Sequence, residues 1–163
     1  HAWAKEFENI GITKIITSDL KRCHETAGII AAKLKLKEVL SKNWRESSFG
    51  EWDGRDLEEV QQEYPKEVEA RYADFVNQRP PGGENFLDLQ TRVVAAFNDV
   101  LAQNHEGPVL IVTHAGVNRT LLAHLTGLPP QGIFNIFQDF ACLNIIDVKD
   151  GKFKHVRALN LLH

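Results

Sequence analysis

Residues Pro108–Arg119 read P-V-L-I-V-T-H-A-G-V-N-R, and no other stretch restricts the fold as much. Four successive branched apolar residues, Val109 to Val112, predict a strand covered on both faces, as in a parallel sheet. The run stops at Thr113-His114-Ala115-Gly116, after which Val117, Leu121, Leu122 and Leu125 recur at helical spacing. Open α/β sheets hold their ligands at such carboxyl ends of strands, where a helix begins. The first amides of that helix have no partner within it and carry partial positive charge, so the place suits an anion. A histidine there can hydrogen-bond or protonate a phosphate; it can also simply be a turn residue.

The rest of the chain alternates in the same way. Trp3, Phe7 and Ile10 predict a helix from His1 to Asn9 that ends at Gly11, and Ile12 to Thr17 is strand-like. Ser18 then reads as the N-cap of a helix running to about Lys33, and Lys37 to Leu40 as a short strand. Ser41 to Arg55 form a loop, and helical patterns flank Pro65, the second continuing through Tyr72 and Phe75. Pro80-Pro81-Gly82-Gly83 breaks the chain ahead of an amphipathic helix from about Asn85 to Asn104. After the strand and helix of the opening stretch, Pro129-Pro130 break it again. Cys142 to Val148 and Phe153 to Leu159 predict a hairpin turning at Asp150-Gly151. The expected fold is α/β, a three-layer α/β/α sandwich whose mostly parallel sheet is closed by a C-terminal antiparallel hairpin.

A chain of 163 residues fits a single domain, residues 1–163, with core enough to need neither disulfide nor metal. Its 43% apolar and 25% charged residues are ordinary for a globular protein. A net charge of −3 argues against broad attraction to nucleic acid or a membrane surface, so an anionic substrate needs a local cationic pocket. Cys23 and Cys142 show no metal-ligand spacing and read as reduced thiols. With no apolar run of bilayer length and no signal peptide, the expected setting is cytoplasmic, although a first residue other than Met leaves a trimmed precursor open.

A second strand-to-helix junction, Ile15-Ile16-Thr17-Ser18-Asp19-Leu20-Lys21-Arg22, has the same chemical type as the first. Arg22 lies one turn past Ser18, where its planar fork of donors suits a phosphate or carboxylate. The plain alternative is a surface ion pair with Glu25 or Asp19. Between the junctions, Asn43 to Gly54 alternates aromatics with acids and glycines, as a loop would that sets a carboxylate against an apolar wall. Composition does not choose among Glu46, Glu51 and Asp53, and all three can be solvated loop charges.

These segments resemble the histidine phosphatase superfamily, the phosphoglycerate-mutase-like family. S-D-L-K-R-C-H-E-T-A (Ser18–Ala27) is similar to its arginine motif, and E-S-S-F-G-E-W-D-G (Glu46–Gly54) to its acid loop. P-P-G-G-E-N (Pro80–Asn85) is similar to its Gly-Gly-Glu turn, and V-T-H-A-G-V-N-R (Val112–Arg119) to its second-histidine motif. The resemblance implies that Arg22 binds a phosphoryl group, that His114 stabilises its charge, and that Ser18 and the Ala115 amide join the binding set. It implies that Glu46 gives a proton to the leaving oxygen and later serves as base for water, with no metal and no cofactor. Glu84 is expected to cap the long helix or trim the pocket. His24 and His124 match no catalytic position, and Arg45 and Arg119 either flank the pocket or lie on the surface.

The family's nucleophile is a histidine in an Arg-His-Gly motif at the end of the first strand. None of the seven histidines here follows an arginine or precedes a glycine. The chain is therefore expected to lack that strand, which is central in the family's sheet, and to be inactive without upstream residues. Three readings follow. The first is a phosphomonoester hydrolase working through phosphohistidine on a small phosphorylated metabolite, closest to α-ribazole-phosphate and broad-specificity phosphatases. The others are a cofactor-dependent phosphoglycerate mutase and a non-catalytic phosphate-binding module. Phe134, Ile136 and Phe137 form an apolar patch for a homodimer or for burial within the subunit.

Overall fold

The computed structural model describes residues 2–103 and 105–163. Three strands, β1 (Lys14–Thr17), β2 (Glu38–Leu40) and β3 (Val109–Val112), form a parallel sheet in the order β2-β1-β3. Successive side chains of a strand point to opposite faces, and β1 uses both. Ile15 packs with Phe7, Ala27, Ile30 and Leu110 beneath α1 (Ala2–Ile10) and α2 (Lys21–Leu34). Ile16 packs on the other side with Trp44, Val93, Phe97, Val117 and Leu121, beneath α5 (Phe86–Leu101) and α6 (Ala115–Thr126). The three expected layers are present. Two further helices, α3 (Leu57–Glu63) and α4 (Pro65–Ala73), build a smaller cluster around Trp52, Val60 and Val68.

Register places the two junctions side by side. Thr17 pairs with Val112 at the ends of β1 and β3, and the Ser18 amide donates to the Val112 carbonyl at 3.0 Å. Both chains therefore leave the sheet together, and their helices start next to one another.

The hairpin forms as its Asp-Gly signal dictates. β4 (Leu143–Lys149) and β5 (Lys152–Leu161) are antiparallel, and Asp150 and Gly151 both take positive φ, 54° and 66°. That pair matches the twist of the flanking strands. However, the hairpin is a separate two-stranded sheet and does not close the parallel one. β3 is accordingly an edge strand. Only Leu110 in it is buried, whereas Val109, Ile111 and Val112 are half-buried, a correction to the strand expected to be covered on both faces.

Other boundaries move by a few residues. α5 stops at Leu101, and its expected end, Asn104, lies outside the described residues, as does the expected helix start at His1. Cys142 precedes the hairpin strand and does not belong to it. α4 ends at Ala73, and Phe75 turns inward beside Phe86 and Phe134. Of the apolar patch, Phe134 and Phe137 are exposed while Ile136 is half-buried against the Phe86, Ala123 and Ile133 cluster. No described helix is long and apolar enough to cross a membrane.

Candidate active site

The main correction at the first junction concerns Ser18. It is not the N-cap of α2: Leu20 takes that position, and the helix starts at Lys21. Ser18 continues the strand inward and is fully buried, with its hydroxyl 2.9 Å from Nε2 of His114 and accepting from the Leu20 amide at 3.3 Å. Starting two residues later, α2 carries Arg22 in its first turn. Arg22 Nε donates to Nδ1 of His114 at 3.2 Å, so neither Asp19 nor Glu25 holds it. Those two acids pair instead with Arg45 and Lys21.

His114 is the N-cap residue of α6 and is buried, although its side chain caps nothing. The Cys23 sulfur lies 3.6 and 3.5 Å from the two ring nitrogens, almost equidistant, so it packs against the ring rather than bonding along one N–H. Its thiol donates to the Thr113 carbonyl at 3.3 Å. Burial pushes the His114 imidazole below its ordinary range; the Arg22 charge and, more weakly, Arg92 act in the same direction, against the pull of Glu46. Burial likewise pushes the Cys23 thiol up, away from the reactive thiolate.

Glu46 completes the group. Its Oε2 accepts from the Gly116 amide at 3.1 Å and its Oε1 from the Ser47 amide at 3.0 Å. A carboxylate from the acid loop thus takes an amide of the first turn of α6. Ala115, the expected amide donor, opens the same turn. Position 116 approaches this carboxylate closely: a Cβ there would lie 2.3 Å from Glu46 Oε1, so a larger residue would displace the carboxylate.

The loop that carries Glu46 is fastened on three sides. Arg45 forms a two-pronged bond to Asp19, 2.6 Å on each arm, which ties the loop to the first junction and holds the Asp19 carboxyl below the usual carboxylate range. Thr113 Oγ1 donates to the Trp44 carbonyl at 2.7 Å, tying it to the second. Arg92 of α5 grips Glu84 with Nε and Nη2 at 2.8 and 2.7 Å, and its Nη1 donates to the carbonyls of Asn43 and Arg45 at 2.9 and 3.0 Å. Glu84 also accepts from the Ser48 amide at 3.1 Å.

Glu84 is therefore an anchor of the acid loop. The cap of α5 is Asn85, in a reciprocal box with Asp88. The Pro-Pro-Gly-Gly turn approaches so closely that a Cβ on Gly50 (φ +58°) would lie 2.1 Å from the Pro81 carbonyl oxygen.

The remaining acids of the loop are structural. Glu51 accepts from the Tyr64 hydroxyl, and Asp53 from Ser48 Oγ and the Phe49 amide. The expected aromatic wall is dispersed: Trp44 and Trp52 enter two different cores, and Phe49 lies exposed beside the Arg71 guanidinium. Arg119 donates to the Ile136 carbonyl, His24 pairs with Glu38, and His124 is exposed near the end of α6. Sequence reasoning missed Arg92, whose signal was an arginine bordering the apolar stripe beside Val93. It also missed the packing of Cys23 on His114. Among the described residues no cluster of His, Cys, Asp and Glu could hold a metal ion.

An arginine, a histidine and a carboxylate from three segments thus meet where two parallel strands end and two helices begin. Open α/β sheets hold their ligands at this position. A profile of the histidine phosphatase superfamily (branch 1) matches residues 1–161, and the chain belongs to this family.

Among curated relatives it is 28% identical over 146 residues to the adenosylcobalamin/alpha-ribazole phosphatase of Escherichia coli K12, covering 90% of this chain and 71% of that one. It is 35% identical over 131 residues to "Probable phosphoglycerate mutase GpmB" of Yersinia enterocolitica, covering 80% of this chain and 61% of that protein. The crystal structure of the alpha-ribazole phosphatase from Shigella flexneri superposes with a TM-score of 0.84 at 25% identity, covering 98% of this chain and 81% of that one.

Proposed function

We propose that the protein hydrolyses a small phosphomonoester through a phosphohistidine intermediate, in a cytoplasmic setting that suits its two free thiols. The observation that carries this reading is the convergence of Arg22, His114 and Glu46 at the ends of β1 and β3. Arg22 binds the phosphoryl oxygens, and His114 stabilises the charge that develops on them. The first-turn amides of α6, including Ala115, add donors. Glu46 delivers a proton to the leaving oxygen and then takes one from the attacking water. No step calls for a metal or cofactor.

The histidine that accepts the phosphoryl group is assigned to a segment outside these 163 residues. His114 is the only described histidine at the site, and both its ring nitrogens are engaged. The other described histidines lie elsewhere, His24, His155 and His163 beside acids, His105 on the Val100 carbonyl and His124 exposed. The substrate class is a small phosphorylated metabolite. α-Ribazole phosphate is the first candidate because relatives at 28% and 25% identity carry that activity in their names.

The test compares two proteins. The 163-residue chain should bind orthophosphate without turning over p-nitrophenyl phosphate. A chain extended upstream to include an Arg-His-Gly strand should hydrolyse it and lose that activity on Glu46→Gln or His114→Ala. Turnover by the 163 residues alone would overturn the placement of the nucleophile, and phosphate binding with no turnover by either protein would favour a binding module. The relative named as a phosphoglycerate mutase supports a second reading. It would prevail if the extended chain converted 3-phosphoglycerate to 2-phosphoglycerate with a bisphosphate primer and released no phosphate.

A further inference from the structure

Hydrogen-bond arithmetic around His114 determines its tautomer. An arginine Nε carries a hydrogen and has no lone pair to offer, so the 3.2 Å contact from Arg22 makes Nδ1 of His114 an acceptor. In a neutral imidazole the other nitrogen then bears the proton, and Nε2–H donates to the Ser18 hydroxyl oxygen at 2.9 Å. That oxygen also accepts from the Leu20 amide at 3.3 Å, so both its acceptor positions are filled. Ser18 is fully buried just past the end of β1 and bonds the ring nitrogen that Arg22 does not touch.

We propose that Ser18 is a positioning residue: by accepting the Nε2–H of His114 it locks the imidazole in that tautomer and turns Nδ1 toward Arg22 and the phosphoryl seat. This rests on the hydrolase reading of the site. With Nε2–H held, the nitrogen left to gain a proton is Nδ1, on the side where the anion arrives. The imidazolium formed there can donate Nδ1–H to a phosphoryl oxygen while keeping its bond to Ser18. Around the ring, α2 contributes the cation Arg22 and the thiol Cys23, the acid loop contributes Glu46, and α5 contributes Arg92. Of these, only Glu46 favours a proton on the ring. A bound phosphate dianion would add a second favourable charge.

Two-bond ¹H–¹⁵N correlation spectra of the 163-residue protein with ¹⁵N-labelled histidine report tautomer and protonation directly. His114 is assigned by the loss of its signals in His114→Gln. The wild-type protein should show the Nε2–H tautomer at neutral pH. Orthophosphate should raise the pH at which the ring protonates. Ser18→Ala should release the ring to a mixture of tautomers and weaken the phosphate-induced rise, and Ser18→Thr, which restores the hydroxyl, should recover both.

The Nδ1–H tautomer in wild type, or an Ala variant that titrates like wild type, would overturn the proposal. If Ser18→Ala fails to fold, the wild-type tautomer alone decides. If orthophosphate leaves every histidine unchanged while Ser18→Ala still releases the tautomer, the hydrolase reading falls and the positioning role stands.

Discussion

Helices in this protein begin in two different ways. α5 opens with a complete capping box, in which Asn85 and Asp88 satisfy each other's backbone amides, and α3 opens with Asp56 accepting from the Glu58 amide. The two helices that start at the candidate site lack a bond from the cap side chain, as does α4, which opens on Pro65. The N-cap of α2 is Leu20 and that of α6 is His114, and neither cap side chain bonds its own helix. The nearby polar side chains, Ser18, Arg22 and His114, are committed to one another, and the Gly116 amide is taken by Glu46 from 70 positions away. α3 and α5 are thus closed locally by their own caps, whereas the starts of α2 and α6 are met by long-range partners.

The largest expected effect sharpens this contrast. Arg22→Ala should weaken orthophosphate binding about 100-fold, since a charged hydrogen-bond donor to an anion contributes up to about 3 kcal/mol. Because the side chain is largely exposed, unfolding free energy should move by no more than about 0.5 kcal/mol; calorimetric titration and urea denaturation read the two separately. His114→Asn puts a preferred cap residue at the head of α6. Phosphate affinity should fall about tenfold, the lower end expected for one lost donor to an anion, while urea stability is largely kept; a collapse of stability would mean that the histidine serves the fold.

Asn85→Ala should do the reverse, costing about 1 kcal/mol of stability with phosphate affinity unchanged. Leu20→Ser offers α2 the side-chain cap it lacks, and a gain of about 0.5 kcal/mol is expected. Absence of any gain would show that the start of α2 is already satisfied.

The smallest effect is one of pH. Burial holds the folded His114 below its ordinary range, so near that range the unfolded chain binds more protons than the folded one. Stability therefore rises with pH through this window and is lost as pH falls toward the depressed folded value. Urea midpoints across pH should show that slope, and His114→Asn should flatten it. Saturating orthophosphate should also flatten it, because the anion restores proton affinity to the folded ring.

What the sequence revealed follows the range of the forces involved. Local patterns predicted β3 and α6, the Asp-Gly hairpin and the amphipathic α5, because branched runs, turn residues and a 3.6-residue period act on their own neighbourhood. Motif resemblance supplied Arg22, Glu46 and His114, and the structure brings these together. Ser18 misled because a serine before a helix has the same local signature whether its hydroxyl caps that helix or turns to a histidine 96 positions away. Arg92 was hidden for a similar reason. Its partners, Glu84 and the carbonyls of Asn43 and Arg45, come from two other segments, and no periodicity within α5 announces them. The separation of the hairpin from the parallel sheet is a matter of strand pairing, which burial patterns constrain only weakly.

The central claim, that the two uncapped helix starts form one anion seat, is tested most directly by titrating the 163-residue protein with orthophosphate and following backbone amide ¹H–¹⁵N shifts. Saturable shifts centred on Leu20 to Cys23 and on His114 to Val117, and lost in Arg22→Ala, are the predicted result. Non-saturable shifts, or shifts centred on the capped start of α5, would contradict the account.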